Sequence, residues 1–458
     1  MKSSKAQVHG RFHRIPTLRF EDQSLTSFAG AVLFQALFAR LGLKARLREC
    51  FDRGQRVFGA GLVMLGLVLH LLLGFRRLRS IDYYRDDALL RHILGLRGKL
   101  PDVSTISRSL SEADAESVVR VRALNKELVL QRIELERLGR ITVDLDGTVI
   151  STKGKTKEGT AVGFNKLKKG ARSYYPLLAT VPQLGEVFDH LFRSGNVHDS
   201  NGAKEFALEV IAEIRQRRKG AALEVRSDSA FFDEGMLGLL AALKVEFSIS
   251  VPFERFAELK GMIERRERWY TIDETWSFFE DRGWHPKKWE GAGYRFLFYR
   301  ARRPVQRKGP VQLDLYEPQD HQYEYKVVVT NKQDDAGAVL VFHNGRGGQE
   351  GLIGELKQGA QFDYIPFRRQ VGNQLFLCAS MLAHNLGREL QMATQERNRK
   401  QSDGRRALWD FRKLTTLRQE LVLRAGRLTR PGNDLTLTMS ANQAVAGEVA
   451  HLMQRLAA

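Results

Sequence analysis

Three charged residues at fixed spacing are the first candidates for chemistry in this chain. Arg346, Glu350 and Lys357 lie in the stretch VFHNGRGGQEGLIGELKQG, four and then seven residues apart. Offsets of four and seven return to nearly the same face of an α-helix, which has 3.6 residues per turn. That face would present a carboxylate between two cations, which suits a metal site that also grips a phosphate backbone. An ordinary ion pair on a solvated helix is the alternative interpretation of this run alone.

Two aspartates farther upstream can complete an acidic site with Glu350. Asp146 lies in the β-branched run ITVDLDGTVI, and Asp228 follows a predicted strand at 222–225. In a mixed α/β sheet, residues at the carboxyl ends of neighbouring strands converge on one edge. Three carboxylates there can hold two Mg²⁺ ions, with Mn²⁺ as a substitute. Asp144 faces the same side of its strand as Asp146, so both remain able to approach the metals.

The elements that must position these residues follow a change of pattern along the chain. Apolar residues recur at helical spacing from about 27 to 135, and a mixed α/β pattern of three strands, helix, strand, helix and strand follows to 251. Four of the five tryptophans then fall in a strand-rich stretch, which predicts a β-rich insertion. The uncharged run Gly59–Phe75 is predicted to be a buried core helix because 17 residues is the lower limit for a membrane span.

We therefore predict an α/β protein with five parts. These are a helical N-terminal region (1–135), a first core part (136–251), a β-rich insertion (252–334), a second core part with the Glu350 helix (335–400) and a basic C-terminal region (401–458).

Composition indicates the kind of partner. The formal net charge is +20 and the pI is about 10.0, which in a folded protein points to a polyanion, most often nucleic acid. A membrane surface is the rival partner, and a merely basic protein is the third interpretation. The two cysteines, Cys50 and Cys378, lie far apart in sequence and indicate a reducing compartment without a structural disulfide.

With these residues in place, the chain resembles the DDE transposases of bacterial insertion sequences, whose catalytic core is ribonuclease-H-like. Asp146 in DLDGT and Asp228 in RSDS match the two aspartates of the family. Arg346, Glu350 and Lys357 match its signature of Tyr, two residues, Arg, three residues, Glu, six residues, Lys, and His343 stands at the tyrosine position.

The resemblance implies Mg²⁺-dependent cutting and joining of DNA by Asp146, Asp228 and Glu350. It also implies a dimer that pairs two transposon ends, double-stranded DNA at terminal repeats and target as partner, no membrane, and a cytoplasmic, nucleoid-associated location. The residues expected to contact DNA are His343, Arg346, Lys357, Trp284, Trp289, Lys168 and Lys169.

Two other functions remain open at this stage. VDLDGTVI also fits the first motif of haloacid-dehalogenase-type phosphatases, with Asp144 as nucleophile and Asp146 as acid or base. Under that interpretation Glu350 is incidental. A catalytically inactive DNA-binding protein derived from a transposase is the other alternative, since an acidic triad in a sequence does not prove activity.

Overall fold

The protein combines one large mixed β-sheet with a layer of helices. The computed structural model describes residues 16–51, 58–163, 165, 168–198, 200–290, 293–302, 323–400 and 405–457. Its helices, in chain order, are α1 Val32–Arg40, α2 Leu43–Glu49, α3 Ala60–Leu72, α4 Ala88–Leu94, α5 Val103–Ser111, α6 Ala115–Leu135, α7 Ala203–Arg217, α8 Glu234–Ala242, α9 Ala257–Glu264, α10 Ala336–Asn344, α11 Gly347–Gly359, α12 Gln370–Thr394, α13 Leu414–Leu417 and α14 Gln443–Ala457.

The strands form a nine-stranded sheet and two three-stranded sheets. They are β1 Leu25–Thr26, β2 Arg140–Gly147, β3 Ile150–Thr152, β4 Ala161–Val162, β5 Arg172–Tyr174, β6 Leu177–Val181, β7 Glu186–Leu191, β8 Ala222–Ser227, β9 Glu246–Ser250, β10 Tyr270–Thr271, β11 Trp276–Asp281, β12 Arg295–Arg302, β13 Tyr323–Thr330, β14 Gly426–Thr429 and β15 Thr436–Met439.

The uncharged run near the N-terminus is a buried helix, as predicted. Helix α3 is buried on nearly every side and packs on α12, which is also almost wholly buried. Helices from the first 135 residues, α11 to α12 and the C-terminal segment share one hydrophobic cluster. Among the described residues, no helix combines the length and the apolar character needed to cross a bilayer.

The N-terminal region departs from the all-helical expectation at one place. The two-residue strand β1 pairs antiparallel with β14 from the C-terminal region, and β14 pairs in turn with β15. The backbone of Leu25 and Thr26 is thus satisfied by a segment about 400 residues later in the chain. The two ends of the chain therefore contribute to one small sheet.

The nine-stranded sheet has the order β10-β11-β12-β13-β9-β8-β2-β6-β7. Strands β2, β8 and β9 are parallel to one another, whereas β6 and β7 form an antiparallel hairpin beside β2. Strand β13 pairs antiparallel with β9, so the strands of residues 252–334 extend this sheet. The predicted alternation of strands and helices between 136 and 251 is confirmed by β2, β6, β7, α7, β8, α8 and β9.

The two faces of the central strands differ in chemistry because side chains alternate along a strand. One face carries the apolar residues of β2, β8 and β9, such as Val143, Val225 and Phe247, which pack in one cluster with residues of α7 such as Phe206. The other face is polar and buried. It carries three rows of matched residues on β2, β8 and β9, and the first row is Thr142, Glu224 and Glu246.

Glu224 makes the most contacts in this first row. Its fully buried carboxylate accepts hydrogen bonds from Arg140, Lys332, Arg405 and the Thr142 hydroxyl at 2.7–3.2 Å. Burial alone would raise the pKa of Glu224, but Arg405 and Lys332 outweigh this effect and lower the pKa to about 2. One carboxylate therefore links strands of the sheet to the loop that carries Arg405.

We predict that Glu224→Gln lowers the free energy of unfolding at pH 7 by about 3 kcal/mol, because buried Lys332 and the partly buried Arg140 and Arg405 lose their counter-charge. The carboxylate stabilises the fold fully above its unfolded-state pKa, and this contribution is lost as the pH falls towards about 2. Urea unfolding should thus show a difference in the free energy of unfolding between wild type and variant that is smaller at pH 3 than at pH 7. Glu246→Gln is the control with a smaller expected loss, since that side chain is 40% exposed.

Candidate active site

The second row of the polar face is a buried ion pair. Asp144 on β2 is matched with Arg226 on β8, and both side chains are 0% exposed. Arg226 donates from Nε to Asp144 Oδ1 at 2.6 Å and from Nη2 to Oδ2 at 2.8 Å. Burial raises the pKa of the Asp144 carboxyl, and the Arg226 guanidinium acts against that shift. Both carboxylate oxygens of Asp144 are therefore engaged inside the protein.

The third row lies at the edge where the parallel strands end. The last matched pair of β2 and β8 is Leu145 with Ser227, so Asp146 and Asp228 occupy the next positions side by side. Asp228 also accepts a hydrogen bond from the backbone N–H of Ala230 at 3.0 Å, which fixes the turn after β8. Asp146 is partly exposed, with 19% of its side chain accessible. Two carboxylates thus share an accessible edge of the sheet.

Helices α10 and α11 cover the polar face and bring the later residues to this edge. Asp335 caps α10 through the backbone N–H of Ala338 at 2.9 Å, and Arg346 is the cap residue of α11. Gln349 donates from Nε2 to the Asp144 carbonyl oxygen at 3.0 Å, which holds the first turn of α11 on β2. Arg346 Nη1 lies 3.9 Å from Asp146 Oδ2. The predicted helix is therefore present, and its N-terminal end lies over the aspartates.

Glu350 and Lys357 occupy different environments on α11. Glu350 follows Gln349 in the first turn and is exposed. Lys357 is partly buried two turns later and donates to the Val149 carbonyl oxygen at 3.2 Å. Burial lowers the pKa of Lys357, whereas the negative charges of Asp363 and Asp146 oppose the change. The Lys357 ammonium is therefore directed towards the turn that follows β2.

The donor chemistry of this edge fits a hard divalent cation, since Asp146 and Asp228 offer carboxylate oxygens at adjacent strand ends. Within the described ranges, however, no three His, Cys, Asp or Glu side chains come close enough to hold a metal ion. The Arg346 guanidinium lies within ion-pair distance of Asp146. The two aspartates thus follow neighbouring strands of the sheet, and Glu350 is exposed in the first turn of the covering helix.

His343 lies in the protein interior. It is 3% exposed, with Nδ1 2.7 Å from the Ser248 hydroxyl and Nε2 2.9 Å from the Ser250 hydroxyl. Burial lowers its pKa to about 3, aided by the charges of Lys326 and Arg346, so the imidazole is neutral near pH 7. We expected His343 to contact DNA, but its side chain has almost no exposed surface in this structure. Both ring nitrogens bind serine hydroxyls of β9 instead.

The other residues expected to contact DNA are divided between surface and interior. Lys168 and Lys169 are exposed at the turn before β5, while Lys166 of the same basic run lies outside the described residues. Trp284 is half-buried with ring centroids 5.2 Å from Phe256 and 5.0 Å from Phe296. Trp289 is likewise half-buried, 4.8 Å from the Phe232 ring.

Sequence reasoning missed an arginine between two aromatic rings. The Arg300 guanidinium lies 4.5 Å from the Trp269 ring centroid and 4.4 Å from that of Tyr323. Strand β13 starts at Tyr323, five residues before Val328, which pairs with Ser250 at the end of β9. The group of Arg300, Trp269 and Tyr323 therefore extends beyond the edge of the sheet that carries Asp228. The alternation of aromatic and basic residues in RFLFYRAR was the available signal.

Sequence reasoning also missed Arg226 and Gln349. The signal for Arg226 was its position two residues before Asp228, which places both on one face of the strand. Gln349 carries no comparable signal, because its role depends on which strand lies beneath α11.

A family model shows the class of protein to which this chain is similar. The family model described as transposase DDE domain group 1 matches residues 10–458. Among solved structures, the chain is similar to a piggyBac transposase in a synaptic complex with hairpin DNA. That similarity has a TM-score of 0.38 and 13% sequence identity, and covers 86% of this chain and 80% of that chain. A search of curated proteins finds no match.

We predict that His343→Phe lowers the free energy of unfolding by about 1–3 kcal/mol, because the hydroxyls of buried Ser248 and partly buried Ser250 lose their partner. Affinity for DNA should stay within about twofold of wild type. The wild-type histidine stabilises the fold above its unfolded pKa of about 6.5, and this contribution is lost on acidification towards about 3. The variant should therefore show a shallower loss of stability between pH 6.5 and 4 in thermal unfolding.

Lys168→Ala provides the comparison, with reduced DNA affinity and unchanged stability. If His343→Phe weakened DNA binding while leaving stability intact, the interior role of His343 would be wrong.

Proposed function

This chain belongs to the DDE transposase family, and from that premise we propose that it cuts and joins the ends of a bacterial insertion sequence. The family match spans nearly the whole chain. The observation that supports the proposal most directly is that Asp146 and Asp228 directly follow Leu145 and Ser227, the last matched pair of two neighbouring parallel strands. Helix α11, with Arg346, Glu350 and Lys357, lies over the same edge.

Asp146 rather than Asp144 is the first aspartate of the proposed triad. Both residues lie on the same face of β2, but Asp144 is fully buried with both oxygens bound to Arg226. Asp146 lies at the accessible edge next to Asp228. The choice between the two thus follows from the partner of each carboxylate.

DDE transposases generally use divalent metal ions, and we assign this role to Mg²⁺ or Mn²⁺. Asp146, Asp228 and Glu350 would hold the ions, which when bound activate the attacking oxygen and stabilise the leaving one in phosphoryl transfer. Arg346 binds a phosphate of the transposon end by two parallel N–H donors, as a planar guanidinium does best. Lys357 contributes a compact positive charge near the turn after β2.

The topology supports a ribonuclease-H-like core within the proposed enzyme. In the order β7-β6-β2-β8-β9, β7 is antiparallel to β6 and β6 is antiparallel to β2, whereas β8 and β9 are parallel to β2. We propose that residues 136–251 and 335–400 form this core, with 252–334 as the insertion and 1–135 and 401–458 as DNA-binding regions.

DNA is the proposed partner, held as a pair of transposon ends by two copies of the chain. The net charge of +20 supports a grip on phosphates that depends on ionic strength. Lys168 and Lys169 offer exposed ammonium groups for it. The half-exposed rings of Trp284 and Trp289 keep part of their surface for stacking on a base. A cytoplasmic, nucleoid-associated location in a bacterium fits this partner.

A phosphatase that uses Asp144 as nucleophile is poorly supported. A nucleophile must reach the phosphorus atom of its substrate, and Asp144 has no exposed surface. The Arg226 ion pair also makes the carboxylate a weaker nucleophile by satisfying both oxygens.

We predict that Asp146→Asn, Asp228→Asn and Glu350→Gln each reduce cleavage of a supercoiled plasmid carrying the element's ends by about 10³-fold or more. DNA binding in a mobility-shift assay should stay within a few-fold of wild type, because the substitutions remove negative charge near phosphates. The assay uses Mg²⁺ and Mn²⁺ in parallel.

Glu355→Gln is the matched control on the same helix. Glu355 lies away from the aspartates, and its carboxylate binds the Arg388 guanidinium at a distance of 2.6 Å. Its cleavage per folded molecule should equal wild type. Wild-type protein that binds the ends and never cuts them would instead indicate an inactive derivative, and phosphatase activity that needs Asp144 would refute the transposase.

We also predict that Lys168→Ala with Lys169→Ala weakens DNA binding mainly at low salt. Each phosphate contact contributes about 0.9 to the slope of log affinity against log salt, so the slope should become shallower by about 2. Lys219→Ala with Lys244→Ala is the control, because these exposed lysines precede β8 and β9 at the opposite end of the sheet. Equal slopes for the two double variants would contradict the assignment.

A further inference from the structure

We propose that Arg226 is a positioning residue that fixes the relative placement of the three acidic residues. This inference rests on the proposed function. Arg226 does not reach the reacting atoms, because it is fully buried beneath the edge of the sheet. It acts through Asp144 and through the end of helix α10.

Arg226 joins the three chain segments that carry the acidic residues. It belongs to β8, binds the Asp144 carboxylate of β2 with two donors, and donates from Nη1 to the Phe342 carbonyl oxygen of α10 at 2.8 Å. Its guanidinium also lies 5.2 Å from the centroid of the Phe342 ring. Three of its nitrogens thus have defined acceptors on two other elements.

Each anchored residue lies a short distance before an acidic one. Asp146 follows Asp144 by two positions on the same face of β2, and Asp228 follows Arg226 by two positions at the end of β8. Glu350 lies in the helix that begins just after α10, which ends two residues beyond Phe342. A shift of the guanidinium is therefore passed to Asp146 and Asp228 over two residues each, and to Glu350 through the end of α10 and the turn into α11.

Gln349 provides a second link to the same strand. Its amide donates to the Asp144 carbonyl oxygen, and it directly precedes Glu350. Asp144 is therefore held through its side chain by β8 and through its backbone by α11. Among the described residues, Gln349 Oε1 is buried without a hydrogen-bond partner, so this side chain gives only one bond to orient Glu350. The Arg226 contact with the Phe342 carbonyl oxygen constrains the end of the preceding helix in addition.

The geometry of Arg226 indicates positioning in addition to stability. A buried ion pair contributes little net stability over apolar or amide groups of similar size, because desolvation offsets the attraction. A planar guanidinium that binds a carboxylate with two donors does fix distance and angle, which a lysine ammonium cannot reproduce. The pair is therefore best explained by the spacing that it enforces.

The first test is Arg226→Lys, which keeps the charge and loses the two-donor geometry. We expect the cleavage rate at saturating DNA to fall by about 100-fold, the effect of displacing catalytic groups by about 1 Å. The DNA concentration at half-maximal rate should change by less than about threefold. Arg132→Lys is the matched control, because Arg132 is also buried and binds the Glu389 carboxylate with two donors between α6 and α12. Its cleavage per folded molecule should equal wild type.

The second test separates positioning from folding. Arg226→Gln alone leaves Asp144 buried without its counter-charge, so stability falls. Adding Asp144→Asn removes that charge, and the double variant should regain most of the lost stability while cleavage stays about 100-fold low. Cleavage that recovers together with stability would overturn the proposal, because Arg226 would then serve folding only.

The third test does not depend on cleavage. In hydrogen–deuterium exchange, Arg226→Lys should raise the exchange rate of residues 341–357 by about tenfold and leave that of α12 unchanged. Equal exchange in variant and wild type would overturn the proposal even if the chain proved unable to cut DNA. Failure of the transposase assignment, by contrast, would appear as wild-type protein without cleavage and with this exchange pattern intact.

Discussion

Charge buried beneath the edge of a sheet is costly unless every charge has a partner, and much of the structure around the site supplies such partners. The central strands carry Glu224, Arg226 and Asp144 on one face, away from water. Their partners come from distant segments, including Lys332 and Arg405 for Glu224 and the end of α10 for Arg226. Because each buried charge needs a partner of opposite charge or a hydrogen-bond acceptor, the later helices and the C-terminal segment pack on the sheet.

The opposite face of the same strands is stabilised by a different interaction. There the alternating side chains are apolar and pack on α7, so that face is held by hydrophobic burial without specific partners. The sheet thus separates two tasks. One face provides general stability, while the other sets the positions of charged groups and ends in the accessible pair Asp146 and Asp228.

Features with local causes could be predicted from the sequence. The strand-and-helix order from 136 to 251, the helix that carries Glu350, and the buried helix α3 all follow from periodicity. Alternation alone leaves Asp144 and Asp146 equivalent, because it places both on one face of the strand. The family resemblance selects Asp146, whereas the burial of Asp144 against Arg226 depends on a long-range partner that the sequence does not reveal. His343 was similarly ambiguous, since its environment is set by serines about 95 residues earlier in the chain.

The antiparallel pairing of β13 with β9 has an evolutionary consequence. The chain leaves the parallel strands of the sheet after β9 and returns along β13, the strand that borders β9, just before α10 begins. Hairpins of different length can therefore be inserted or lost between these two strands without moving Asp228 or Glu350. Among relatives, the number of residues between the second aspartate and the glutamate should vary widely and be a poor criterion of homology. The spacing of Arg346, Glu350 and Lys357 is fixed by one helix, and it should be the more durable signature.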